Sequence, residues 1–197
     1  MIEVALILSL VFASCYIARD VSEPDAYVLG YRNAFKAFQL DLSNTNIILS
    51  SPHAGSEMPE DIPNRTAGGC RRCDPDVCTF EYNDTCSDGS RCTVTTVQDF
   101  ASYDTFTEQV ADELYRTYQL RPFVIIAGWN RKKVDFNREM KEATFNHPEA
   151  IKAYQAYHGY LDMASQRIEQ QFKANGLLLD IHQHGQGRQV STFLVCR

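Results

Sequence analysis

A chain of 197 residues, 44% hydrophobic and 22% charged, holds enough apolar material for one domain with a substantial core and too much of it for wholesale disorder. Its formal net charge of -6 and pI near 5.3 argue against nucleic acid or an anionic membrane as a partner, because phosphate binding requires a basic patch. No such patch is present beyond the short RKK at Arg131 to Lys133.

In chain order, the opening MIEVALILSLVFASC has an apolar centre that is short for a bilayer span and ends in small residues, with Ala13 and Cys15 placed before a cut. It predicts a secretory signal over residues 1–15, although Glu3 stands where a positive charge is usual; a short anchor or a lipid-modified Cys15 are the alternatives. Residues 16–197 then form a single domain. The run NIILS, Asn46 to Ser50, predicts the first strand. Residues 67–96 are rich in Cys, Asp, Gly and Thr with little apolar periodicity, which predicts a disulfide-stapled insertion and not a second core. Apart from Cys15 the cysteines are Cys70, Cys73, Cys78, Cys86, Cys92 and Cys196. An even six favours an oxidising compartment, and six allow fifteen connectivities. The sequons at Asn64 and Asn83 point the same way, to a secreted, extracellular glycoprotein. The CRRC at Cys70 to Cys73 is open to thiol exchange, or to a zinc knuckle with Cys78 and Cys86, but in an exported chain it reads first as structural disulfide.

Beyond the insertion, a helix from Asp104 places Phe106, Val110, Leu114 and Tyr118 on one stripe, with Asp104 as its cap. FVIIAG, Phe123 to Gly128, predicts a strand. A long helix starts at Pro148 and stops by Gly176, carrying Ile151, Tyr154, Leu161, Ile168 and Phe172 at helical spacings. LLLDIH, Leu177 to His182, and STFLVC, Ser191 to Cys196, complete the strands. Strands separated by helices predict an α/β fold with a mixed, largely parallel central sheet flanked by helices.

In open α/β sheets ligands bind beyond the carboxyl ends of the strands, and two predicted strands here run out into histidine, at His53 and His182. Glu57 lies four residues after His53. Together the three make a two-histidine, one-carboxylate set for a catalytic zinc with an open water position; an ordinary polar loop is the bland alternative. In DIHQHG, Asp180, His182 and His184 alternate, so a strand would turn all three to one face. Asp180 then orients an imidazole or neighbours the metal, and His184 is a second candidate ligand or faces substrate. In VDFNRE, Asn137 and Arg138 suit two-point recognition of a carboxylate, unless Arg138 only pairs with Asp135 or Glu139.

Taken in order, SPHAG, VDFNRE, AYHGYL and LLLDIHQHG resemble the N-formylglutamate amidohydrolase-like family, within the zinc-carboxypeptidase-like folds, over roughly Asn46 to Gly185 without the cysteine segment. The resemblance implies a secreted, zinc-dependent amidohydrolase-like protein cleaving an amide beside a carboxylate, in an N-formyl or N-acyl amino acid or a peptide terminus. It implies His53 and His182 as metal ligands, Asn137 and Arg138 as the carboxylate-recognising pair, and an unassigned place for His158; in the hydrolytic mechanism built on it, Arg131 is a nearby side chain for the oxyanion beside zinc. Glu57 departs from the carboxypeptidase interval by one residue, so Asp99 or Asp104 is an alternative carboxylate ligand. A general-base glutamate from beyond His184 has no counterpart, because nothing acidic follows DIHQHG. Either Glu57 or Asp180 supplies the base, or the chain is a truncated product. The alternatives to hydrolysis are an inactive secreted binding protein that uses the glycosylated, cysteine-rich segment, and, more remotely, a thiol oxidoreductase.

Overall fold

The computed structural model describes residues 26–65, 70–74, 77–85, 91–95, 103–184 and 191–196, by backbone course alone within 66–104 and 183–197. The expected signal segment, Cys86 and Asp99 lie outside the described residues. So does the side chain of Asp104.

Six strands form one mixed sheet: β1 (Tyr27–Leu29), β2 (Phe35–Phe38), β3 (Ile47–Ser51), β7 (Phe123–Ala127), β8 (Leu177–His184) and β9 (Ser191–Cys196), in the spatial order β1-β2-β7-β3-β8-β9. Between β3 and the first helix, β4 (Cys70–Asp74), β5 (Val77–Thr85) and β6 (Arg91–Thr95) make a separate three-stranded sheet. Both its pairings are antiparallel, and the register sets Cys73 opposite Cys78. The helices are α1 (Tyr103–Tyr118), the short α2 (Met140–Thr144) and α3 (Pro148–Phe172).

The expected parallel pairing is confined to the three central strands: β3 runs parallel to both β7 and β8. The pairs β1–β2, β2–β7 and β8–β9 are antiparallel. Chain length explains part of this. Parallel neighbours need a crossover of a dozen or more residues, which α1 and α3 supply, whereas the link from β1 to β2 is too short for anything but reversal.

Alternation along the central strands divides the core into two layers. Phe123, Ile125 and Ala127 of β7 join Ile48 of β3 and pack with Ala150, Ala153, Tyr157, Tyr160, Ala164 and Ile168 of α3. Val124 and Ile126 face the other way, with Leu49, Ile181 and Ala111 of α1. Covering on both faces is why these strands read as continuous apolar runs. Each fully buried Ile, Leu or Phe contributes about 1.5–3 kcal/mol. The sheet–helix layers therefore carry the fold, and the polar groups at the strand ends are supported by them.

The α3 stripe is shifted from expectation towards small residues and tyrosines, because the helix lies close to the sheet. Pro148 occupies the first helical turn as expected, and the helix closes at Lys173, which takes φ 50°. In α1, Leu114 is buried but Tyr118 is 45% exposed. Among the described residues no helix is long and apolar enough to cross a membrane.

Candidate functional site

The parallel register of β3 and β8, with Ser50 opposite Asp180, brings the ends of the two strands side by side. His53 follows β3 after a turn, and His182 lies in β8; their ring centroids are 4.9 Å apart. The two imidazoles singled out from sequence therefore meet. His53 is buried, and His182 is half-buried. The turn after His53 is held by contact between backbones: a Cβ on Gly55 would lie 2.3 Å from the Trp129 carbonyl oxygen, so only glycine allows this approach. Beneath it, Ser50 Oγ and Tyr157 Oη share a buried hydrogen bond of 2.8 Å.

Asp135 is the centre of the cluster and is fully buried. Its Oδ1 accepts from His53 Nε2 at 2.7 Å and from the Asn137 backbone N–H at 3.0 Å. Its Oδ2 accepts from Arg131 Nε at 2.7 Å, and Arg65 Nη1 stands 3.5 Å away. Burial alone would raise the pKa of this carboxyl. The His53 imidazole, Arg131 and Arg65 outweigh burial and hold it well below the usual carboxylate range. His53 moves down from its ordinary 6.5: burial dominates over the favourable Asp135 carboxylate, and Arg131 and Arg138 add to the lowering. A neutral imidazole that donates from Nε2 keeps its lone pair on Nδ1, which is the nitrogen a ligand of this site would meet. Burial also brings the Arg65 guanidinium down to about 10, so it stays charged at neutral pH.

Acid should therefore weaken the fold in two stages. A histidine with a depressed folded pKa stabilises the native state above 6.5, and that contribution drains away as pH falls below this value and the unfolded chain takes up the proton first. Asp135 adds the same sign of dependence below the usual carboxylate pKa of 3.8. A urea midpoint that falls between pH 7 and pH 5, in wild type and less in His53→Ala, is the expected result.

On the second imidazole, Asn137 Nδ2 donates to His182 Nε2 at 3.1 Å. Arg138, whose side chain is 46% exposed, faces Glu142 at 3.5 Å, and not Asp135 or Glu139. Its carbonyl accepts from Tyr154 Oη at 2.8 Å. His158 donates from Nε2 to the Phe136 carbonyl at 3.0 Å, which gives that residue of α3 the task of fixing the loop between Asp135 and Asn137. Asp180 is buried and shares a β8 face with His182. His184 falls two positions further along β8, where the backbone alone is described.

Glu57 is placed differently from the histidines. Its backbone bridges to Trp129, donating to the Gly128 carbonyl and accepting from the Asn130 N–H, while the residue as a whole is exposed. Among the described residues no three His, Cys, Asp or Glu side chains converge as a metal-holding group. The donor chemistry of His53 nevertheless suits zinc, because it is oriented by a buried carboxylate, the kind of support that metal-binding histidines receive. His182 as placed accepts at Nε2 and so carries its proton on Nδ1; it offers a lone pair to an ion once the Asn137 amide turns over and its Oδ1 accepts from Nε2–H.

Sequence reasoning missed the role of Asp135, which it weighed only as a neighbour of Arg138, and missed Arg65 altogether. No short-range signal could have found either, since the contact from Asp135 to His53 spans 82 positions and that from Arg65 to Asp135 joins separate loops. No family model, curated protein or solved structure matches this chain.

Proposed function

We propose that this chain is a secreted, zinc-dependent amidohydrolase-like protein of the N-formylglutamate amidohydrolase-like kind, acting on a small amide that carries a carboxylate. One observation carries the reading: His53 and His182, at the ends of adjacent parallel strands, lie 4.9 Å apart with His53 held by Asp135. Imidazoles this close can serve as two ligands of one ion. His53 would bind through Nδ1, with His182 as the second ligand, and the third donor would come from Glu57, Asp99 or Asp104.

Zinc bound at such a site lowers the pKa of a bound water towards ~7 and polarises a carbonyl oxygen. The protein's own residues do the rest. Asp135, kept ionised between two guanidiniums, fixes the His53 ring in the tautomer that offers Nδ1. Asn137, with its amide turned so that Oδ1 accepts from Nε2–H, would orient His182 towards the ion. Arg138, partly exposed and only loosely paired with Glu142, is the residue that grips the substrate carboxylate. Arg131 adds positive potential at the place where an oxyanion would form, though its Nε is already committed to Asp135. Asp180 and Glu57 are the candidate bases, with Asp180 the one that shares a strand face with His182.

The test is metal analysis of the purified full chain, followed by a screen of N-formyl and N-acyl amino acids. About one zinc per chain, with hydrolysis that a chelator abolishes and zinc restores, is the expected result. Folded protein that takes up no zinc overturns the reading and favours a secreted binding protein in its place.

A further inference from the structure

Arg65 is a costly residue for the place it occupies. It is 1% exposed, yet its Nε and Nη2 have no hydrogen-bond partner. Its Nη1 donates to the Arg131 carbonyl at 3.0 Å and stands 3.5 Å from Asp135 Oδ2. Its backbone N–H donates to the Lys132 carbonyl at 2.7 Å, and the guanidinium lies 5.7 Å from the centroid of the Phe145 ring. A buried guanidinium with two idle nitrogens is a poor source of stability, because desolvating it is costly and the return is one hydrogen bond and one longer ionic contact. An apolar side chain of that volume would satisfy the packing against Phe145 at lower cost. The position keeps a charge instead.

The geometry points to what that charge does. Arg65 and Arg131 approach the same oxygen of Asp135, and the other oxygen receives His53 Nε2. Arg65 also ties down the strand-end loop that carries Arg131, through the Arg131 and Lys132 carbonyls. We infer that Arg65 is a positioning residue: with Arg131 it clamps Asp135 so that the carboxylate holds His53 in the Nε2–H tautomer with Nδ1 turned to the ligand. Oδ1 is held by the Asn137 backbone N–H as well as His53, whereas Arg131 alone would hold Oδ2 through a single Nε contact. Arg65 adds a second cation at Oδ2, which strengthens the hold on the orientation that presents Oδ1 to His53. Other charged groups face the cluster as well: Glu142 from α2 acts on both Asp135 and Arg65, Arg138 from the loop before α2 acts on Arg65, and Glu142 is itself pushed towards its neutral form by burial. The inference rests on the zinc reading for its consequence but not for its geometry, which concerns the His53 ring in the protein without metal.

The experiment compares the full chain with Arg65→Met, Arg65→Gln and Arg65→Lys, all of which leave the Asn64 sequon intact. Two readouts are taken: the histidine tautomer from long-range nitrogen–proton NMR at pH 8 in chelator-treated protein, and zinc affinity by chelator competition. The expected result is His53 as the Nε2–H tautomer in wild type and a mixture of tautomers in Arg65→Met. Zinc binding should weaken by about 10- to 100-fold in that variant, the range found when support of a metal-binding histidine is lost. Arg65→Lys should restore both readouts most of the way, which a packing role would not produce. If Arg65→Met does not fold, Arg65→Gln, which keeps a donor without the charge, decides by the same readouts. An unchanged tautomer and unchanged zinc affinity in the folded neutral variant overturn the inference and leave the zinc reading intact. Wild type that binds no zinc but loses its tautomer on substitution supports the clamp while sinking the metal.

Discussion

Asp135→Ala should lower the thermal midpoint by about 10 °C or unfold the protein outright. The carboxylate receives His53 Nε2, Arg131 Nε and the Asn137 backbone N–H within 3.0 Å, and Arg65 stands at 3.5 Å from it, all at a position with no exposed surface. Truncation leaves two guanidiniums facing each other in the interior with their counter-charge gone. Removing one partner of a buried ionic group costs roughly 3–5 kcal/mol. Domains have only about 5–15 kcal/mol to lose, and a chain of this size shifts by about 2–4 °C per kcal/mol. Asp135→Asn tests the same point with the volume kept, since one oxygen is replaced by a donor aimed at existing donors. Scanning calorimetry that shows either variant within a degree or two of wild type would mean that Asp135 is not the hub described.

His53→Ala should behave in the opposite manner, with folding kept and the site lost. Its removal takes one donor from Asp135 but leaves both arginines in place, so the carboxylate remains compensated. The variant should retain wild-type circular dichroism, with a stability loss of roughly 1–3 kcal/mol for a buried ring that made one strong hydrogen bond. Zinc affinity should fall by more than about 100-fold, beyond the range for residues that merely support a ligand. Any amide hydrolysis should disappear with it. Stoichiometric zinc in folded His53→Ala would remove this histidine from the ligand set, and with it the principal support for the proposed activity.

The contrast between these two variants also marks what the sequence could disclose. β3, β7 and β8 were legible because burial on both faces leaves an unbroken apolar run, and their order with α1 and α3 implied an α/β sheet with its chemistry at the strand ends. His53 and His182 followed from that rule. The strands β1 and β2 escaped notice for different reasons. Tyr27–Leu29 is apolar in sequence but only three residues long before Gly30, too short a run to stand out, whereas FKAF in β2 does alternate buried and half-buried positions and had a period-two signal to read. In VCTFEYNDT the cysteine and the sequon drew attention from a strand pattern that the structure realises as β5. Asn137 and Arg138, read as a pair, contact different partners in the fold, His182 and Glu142. Arg65 was visible only as the middle residue of a sequon. Such residues acquire their roles through contacts between distant loops, and a single sequence holds no local trace of those.

The site joins partners 82 and 45 residues apart, His53 with Asp135 and Asn137 with His182, across strands that become neighbours only when the central sheet closes. Contacts of such long range form late, after the entropy of closing the intervening loops has been met. A half-folded chain accordingly presents isolated imidazoles and no centre. Any ligand of this site selects finished molecules from unfinished ones, unlike the ion of a zinc finger, which must be present for its small domain to fold at all. Occupancy of the site would then report that the sheet has closed.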